Sequence, residues 1–272
     1  MIDILSTARI IALSTFKEGL RGRLLFFIFS AVLFIFLLGN IFSNFADKQN
    51  LELRLILETG MAFSALVVLG TAVLIACQGL GKHDDSGSYR IMFAMPLNRD
   101  GIYLGYLGGL WLTVLTYSIV MAVALMIVVG YRFDVFRYTI PLHFFTLFIE
   151  GMVLSTVAFL FSLSRSNVVS FFMALAIGIM AHAEGVIIHL ASQSSSIIME
   201  RVVPFLVNAL PALGSINVKS SAVRDLPLTW EATTNCVTWG QFALGIGHNL
   251  LYVFILLVLI SIVRRFIEAD KG

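Results

Sequence analysis

Five polar side chains stand where their neighbours are almost all apolar. Glu150 falls inside the apolar run 140–163, His182 and Glu184 inside 168–190, and His248 with Asn249 inside 240–263. In such runs, polar and ionisable groups are costly; they mark substrate or proton paths, or hydrogen-bonded networks that hold helices together. At a helical rise of 1.5 Å per residue, all five lie at similar depth, about 10–15 Å from one end of their runs. That layer predicts either the polar lining of a translocation path and a site for a substrate headgroup, or a buried network that secures the helices.

Other chemistries are narrowed by spacing. His182, Glu184 and His189 invite a metal, with His143 near the outer end of its own run, but HAEGVIIH is not H-E-x-x-H. The two imidazoles fall on one helical face about 10 Å apart, too far for one ion without ligands from elsewhere. His182 and His248 pair differently in an alternative reading, as axial ligands of a haem in an electron-transfer membrane anchor. No nucleophile and base stand at credible spacing for a protease or transferase, and Cys77 and Cys236 fall near opposite ends of the apolar runs. A phosphate loop needs G-x-x-x-x-G-K-[ST]; the nearest match, Gly81-Lys82-His83, has Ala76 for the first glycine and His83 for the hydroxyl. The chain itself is therefore expected to bind no cofactor and to hydrolyse no ATP.

The elements that must position these residues follow from composition. The 272 residues are 59% hydrophobic and only 12% charged, with 23 Phe and a mean hydropathy of +0.95. A soluble domain carries about twice that charge, so an integral membrane protein is expected. Disorder and a disulfide scaffold are excluded, and a net charge of +2 gives no footprint for nucleic acid.

Six runs reach the roughly 20 residues needed to cross a bilayer: 24–42, 60–80, 104–129, 140–163, 168–190 and 240–263. The expected fold is all-α, with six spans. Ahead of them, residues 3–21 predict an amphipathic interfacial helix. Ile4, Leu5, Ala8, Ile11, Ala12, Phe16 and Leu20 form its apolar face, with Asp3, Thr7, Ser14, Glu18 and Arg21 opposite. With the N-terminus inside, eleven Lys and Arg are cytoplasmic and seven are outside, which orients both termini to the cytoplasm. Residues 81–103 then form a charged cytoplasmic connection and 191–239 a long outer loop. Within that loop Val202–Gly214, broken by Pro204 and Pro211, predicts a re-entrant or interfacial hairpin.

Local patterns add a family resemblance. A basic cluster, Lys17–Arg23, precedes the first run. The second is followed by Asp85-Ser-Gly-Ser-Tyr-Arg-Ile-Met-Phe-Ala-Met-Pro96-Leu-Asn-Arg99-Asp-Gly-Ile102-Tyr-Leu-Gly105-Tyr106. Beyond the fifth run stands Pro211-Ala-Leu-Gly-Ser-Ile-Asn217, and the last, bearing Tyr252, ends in Arg264-Arg265-Phe266. In this order the chain resembles the six-span permease subunits of ATP-binding-cassette transporters of the second export type, near the nitrous-oxide-reductase and cytochrome-maturation permeases. It departs from them in Asp84-Asp85, where Glu is usual, and in Tyr106, where Lys is frequent. The resemblance implies that 81–103 is a coupling segment seated on a separate ATPase subunit, with Asp84, Asp85, Tyr89, Arg90, Phe93 and Arg99 as its contacts, and that 162–167 is its smaller counterpart. ATP and magnesium would be bound by that partner. It further implies a second permease chain, as homodimer or heterodimer, for which Gly105-x-x-x-Gly109 and Ala243-x-x-x-Gly247 offer close-packing faces. The expected location is the bacterial inner membrane, in contact with lipid, with the outer loop open to a periplasmic or lipoprotein partner.

Overall fold

The computed structural model describes residues 4–21, 49–85, 99–163, 166–184, 209–219 and 238–269, with positions 30, 33, 34, 37, 41, 186, 187, 203 and 223 between them. The described residues are helical almost throughout and contain no strand. The helices are α1 (Ile4–Arg21), α2 (Gln49–Asp85), α3 (Arg99–Phe133), α4 (Thr139–Ser162), α5 (Asn167–His182) and α6 (Trp239–Ala269), with a 3-10 turn at Gly214–Ile216 before α6. Among the described residues, four helical stretches are long and apolar enough to cross a membrane: Leu51–Cys77, Asp100–Phe133, Thr139–Ser162 and Trp239–Phe266. The run 24–42 lies almost wholly outside the described residues. The run 168–190 is a continuous helix only to His182, where Ala183 leaves helical geometry as the C-cap.

Side-chain pairings fix the directions. Arg132 at the end of α3 meets Glu52 at the start of α2, at 2.8 Å. The Tyr106 hydroxyl donates to the Ile75 carbonyl at 3.0 Å, so α2 and α3 are antiparallel. Tyr103 and Tyr106 of α3 lie against Phe159 of α4, and Gly178 of α5 lies against Leu154 of α4. Arg264 near the end of α6 lies beside Asp100 at the start of α3, so α2, α4 and α6 run one way, and α3 and α5 the other. Helix α4 is central, packing on α2, α3, α5 and α6, and 72% of its span is buried against 22% for α6. The outer face of α6, including Leu244, Leu251, Phe254 and Phe266, is exposed.

Helix α1 packs differently from its expected orientation. It runs parallel to the first four turns of α3, and the contact uses its small residues. A β-carbon added at Gly105 would stand 2.5 Å from the Ala8 carbonyl and 2.8 Å from Ile11 Cβ. At Gly109 it would stand 2.5 Å from the Ala12 carbonyl and 2.7 Å from Thr15 Cβ. Only glycine lets the two backbones approach so closely. Thr7, expected on the polar side, is fully buried, whereas Leu5, expected on the apolar side, is 77% exposed. The Tyr117 hydroxyl closes the contact by donating to the Gly19 carbonyl at 2.9 Å. The Gly105-x-x-x-Gly109 face, expected to receive a second chain, is thus covered by the chain's own first helix.

Helix ends follow local chemistry. Ser166 caps α5 by accepting from Val169 N. Thr238 and Gln241 form a reciprocal box at the start of α6, since Gln241 N donates to Thr238 Oγ1 and Thr238 N to Gln241 Oε1, both at 3.2 Å. Thr238→Ala is expected to lower thermal stability by about 1 kcal/mol, the usual value of a lost cap, as read by thermal unfolding in detergent.

Candidate functional site

Glu150 is the twelfth of the 24 residues of α4, about 16 Å from its start at 1.5 Å per residue. Its carboxylate faces α5, where His182 Nε2 lies 3.4 Å from Oε2. The pair is asymmetric: the Glu150 side chain is 4% exposed and that of His182 36%. The acid is held inside the bundle, and the imidazole is the more exposed member of the pair. The end of α5 produces this arrangement, because His182 is its last helical residue and the chain turns there.

The segment 209–219, part of the expected outer loop, closes over the pair's surroundings. Leu213, Ile216 and Val218 are fully buried. Ile216 and Val218 form a small cluster with Ile149 of α4 and Phe242 of α6, and Gly214 lies beside the backbone of Ala181 and His182. Asn249 of α6 holds this segment in place. Its Nδ2 donates to the Ala212 carbonyl at 3.1 Å and to the Gly245 carbonyl at 2.9 Å. His248 is exposed, with Nε2 3.3 Å from the Leu210 carbonyl. Asn217 Oδ1 accepts from Lys219 N in a local turn. Asn249→Leu would strand the Ala212 carbonyl, and we expect it to cost about 1–3 kcal/mol and to speed proteolytic cleavage near 209–219.

The expected layer therefore divides in two. Glu150 and His182 form the joined pair, while His248 and Asn249 serve the outer segment. Glu184 is half-buried just past α5, with no hydrogen bond or ion pair to a described residue. The imidazoles proposed for a haem have their Nε2 atoms turned to Glu150 and to the Leu210 carbonyl respectively. Among the described residues no three His, Cys, Asp or Glu side chains gather as a metal site would require.

Of the expected coupling segment 81–103, residues 86–98 lie outside the described residues. Asp84 and Asp85 are the last residues of α2, and Arg99 is the first of α3; Tyr89, Arg90 and Phe93 lie outside the described residues, as do 202 and 204–208 of the expected hairpin Val202–Gly214. The base of the segment carries a contact that sequence reasoning missed. Asp100 pairs with Arg264 of α6 at 2.5 Å, and the Arg264 guanidinium lies over the Tyr103 ring, 5.5 Å from its centre. The signal was present in Arg264-Arg265, which reads as a basic flank until Arg264 is found buried against Asp100 and Tyr103. No family model matches the chain, and no curated protein is similar enough in sequence to match it.

Proposed function

We propose that the chain is the six-span permease subunit of an ATP-binding-cassette transporter in a bacterial inner membrane, with both termini cytoplasmic. It moves a hydrophobic or amphipathic substrate, a lipid, peptide or drug-like molecule, across or out of the bilayer. A separate subunit hydrolyses ATP, and closure of that subunit against the coupling segment drives alternating access or a lateral gate. The observation that carries the reading is the Glu150–His182 pair at the midpoint of the central helix, a costly polar centre within apolar helices of alternating direction. The order of motifs along the sequence supports the ATP-driven form of the reading, and the Asp100–Arg264 contact ties α6 to the base of the coupling segment.

The test is gentle affinity purification of the tagged chain, with mass spectrometry of what accompanies it. A stoichiometric soluble protein bearing a phosphate loop, lost on Tyr89→Ala with Arg90→Ala, is the expected result. A chain that purifies without an ATPase overturns the reading. If that chain is also coloured by a haem absorption band, the His182–His248 electron-transfer alternative takes its place.

A further inference from the structure

The polar groups inside the bundle are unevenly distributed about Glu150. On α4, Thr139, His143, Thr146 and Glu150 follow one another at spacings of four, three and four, which stacks them on one helical face. All four are buried, none more than 4% exposed. Continuing inward, the same face becomes Val153, Leu154 and Val157, also buried. The stripe is polar from the outer end to the helix midpoint and apolar beyond it.

The neighbouring helices repeat this division. Gly151 of α4 lies against Val114 of α3 and Ala72 of α2. Given the helix directions, one to two turns outward from that crossing stand Thr146, Ser118 of α3 and Ser64 of α2. Ser64 and Ser118 are buried, and neither hydroxyl has a hydrogen-bond partner among the described residues. The same is true of Thr139 Oγ1, and the buried ring of His143 has no partner beyond a backbone contact with Met61 of α2. Thr146 Oγ1 donates to the His143 carbonyl at 2.7 Å, and inward of Glu150 the hydroxyls of α2, α3 and α4 are bonded in the same way. Thr71, Thr113, Ser155, Thr156 and Ser162 all donate to carbonyls of their own helix. Buried polar groups are almost always satisfied, by protein or by internal water. Thr7 Oγ1 of α1 and Trp111 Nε1 of α3 are also without a partner among the described residues, on the inner side; the cluster of Ser64, Ser118, Thr139 and His143 on the outer side of a buried carboxylate marks a hydrated path.

We infer that the outer halves of α2, α3 and α4 form a proton half-path that connects Glu150–His182 to the outer compartment through His143. A proton from outer water binds one ring nitrogen of His143, and the other nitrogen releases its own proton toward Thr146, Ser64 and Ser118. Water carries that proton on to the Glu150 carboxylate, which shares it with His182. One proton moves inward to the pair, and only O–H and N–H bonds are made and broken. Among groups facing the path, α5 contributes His182, and the outer segment brings the charge of Lys219 to bear on His143. On α2, Glu58 is exposed and Glu52 is paired with Arg132; on α3, Tyr117 is bonded to Gly19; and on α6, His248 is exposed beside Leu210. This inference rests on reading the pair as the functional centre of the proposed permease.

The test uses right-side-out membrane vesicles whose inner and outer pH are set separately. An apolar carbodiimide reacts with protonated carboxyls, and mass spectrometry reads the Glu150 adduct against a Glu150→Gln blank. Labelling is expected to follow the outer pH, falling about tenfold per unit above the titration midpoint, and to ignore the inner pH. His143→Phe should slow the response to an outer pH jump roughly a hundredfold, the scale of a lost proton carrier. Thr146→Val, which removes only a hydroxyl, should slow it in the same sense and decides the matter if His143→Phe fails to fold. No adduct, an adduct indifferent to outer pH, one that tracks inner pH, or a wild-type response in a folded variant each overturns the inference. The labelling needs no ATPase, so absence of an ATPase partner would sink the proposed function without touching this result.

Discussion

Glu150→Gln is expected to leave the chain folded and to abolish the transport proposed for it, by a hundredfold or more if the pair carries a proton. The amide keeps the length of the side chain and a hydrogen bond to His182, so the α4–α5 contact survives while the titratable group is gone. A harder test removes both polar members. Glu150→Met with His182→Leu replaces a buried pair by side chains of similar volume, a change that is often neutral or stabilising by about 1–4 kcal/mol. Under a functional role the double variant is at least as stable as the wild type, yet inactive. His182→Leu alone strands the acid and is expected to cost about 3–5 kcal/mol. If the pair were only a fastener between α4 and α5, Glu150→Gln would stay active and the double variant would lose stability. Thermal unfolding and uptake into the same proteoliposomes separate the two.

The second large effect is expected at the α1–α3 contact. Gly105→Ala and Gly109→Ala each place a methyl about 2.5 Å from a carbonyl oxygen of α1, and the obstacle is backbone rather than a side chain that can turn away. Each is expected to cost about 1–3 kcal/mol as an overpacking change; the pair should release α1, exposing its peptide bonds to protease. Two glycines provide internal controls. An added methyl at Gly108 stands 3.9 Å from Ala12 Cβ, and at Gly130 it meets nothing within 4 Å. Gly108→Ala and Gly130→Ala are therefore expected to match or slightly exceed wild-type stability, because alanine is the better helix former.

These two sites differ in how far the sequence revealed them. The run 140–163 became a helix of nearly those bounds, because uniform apolar character over a bilayer's width leaves few alternatives. Glu150 and His182 were visible as a shared layer, since charge in an apolar run is conspicuous and helix rise converts position into depth. Depth says nothing about azimuth, however. Asn249 and His248 lie in the same run of α6 yet turn to Ala212 and Leu210, because the outer segment folds back onto that helix. The α1 contact was hidden for another reason. Assigning a helix face by bulk and polarity points Leu5 inward and Thr7 outward, whereas close approach to Gly101, Gly105 and Gly109 selects the smallest side chains. The stripe Thr139–His143–Thr146–Glu150 was legible in its spacing, but three of its members are ordinary residues near a helix start, and only burial distinguishes them.

The manner in which α6 is attached has a mechanical consequence. Near one end it is fastened by Asn249 to the outer segment, and near the other by Arg264 to Asp100. Fifteen residues separate these points, about 22 Å of helix, while the side facing away from α4 is bare over the whole interval. A rod pinned at two points, with Val253, Leu256 and Ile260 buried between them, moves as one body. Under the proposed coupling role of 81–103, a displacement at Asp100 would pass along α6 to the segment beside His182. α6 would then act as the connecting rod between the two faces, with α4 as its guide.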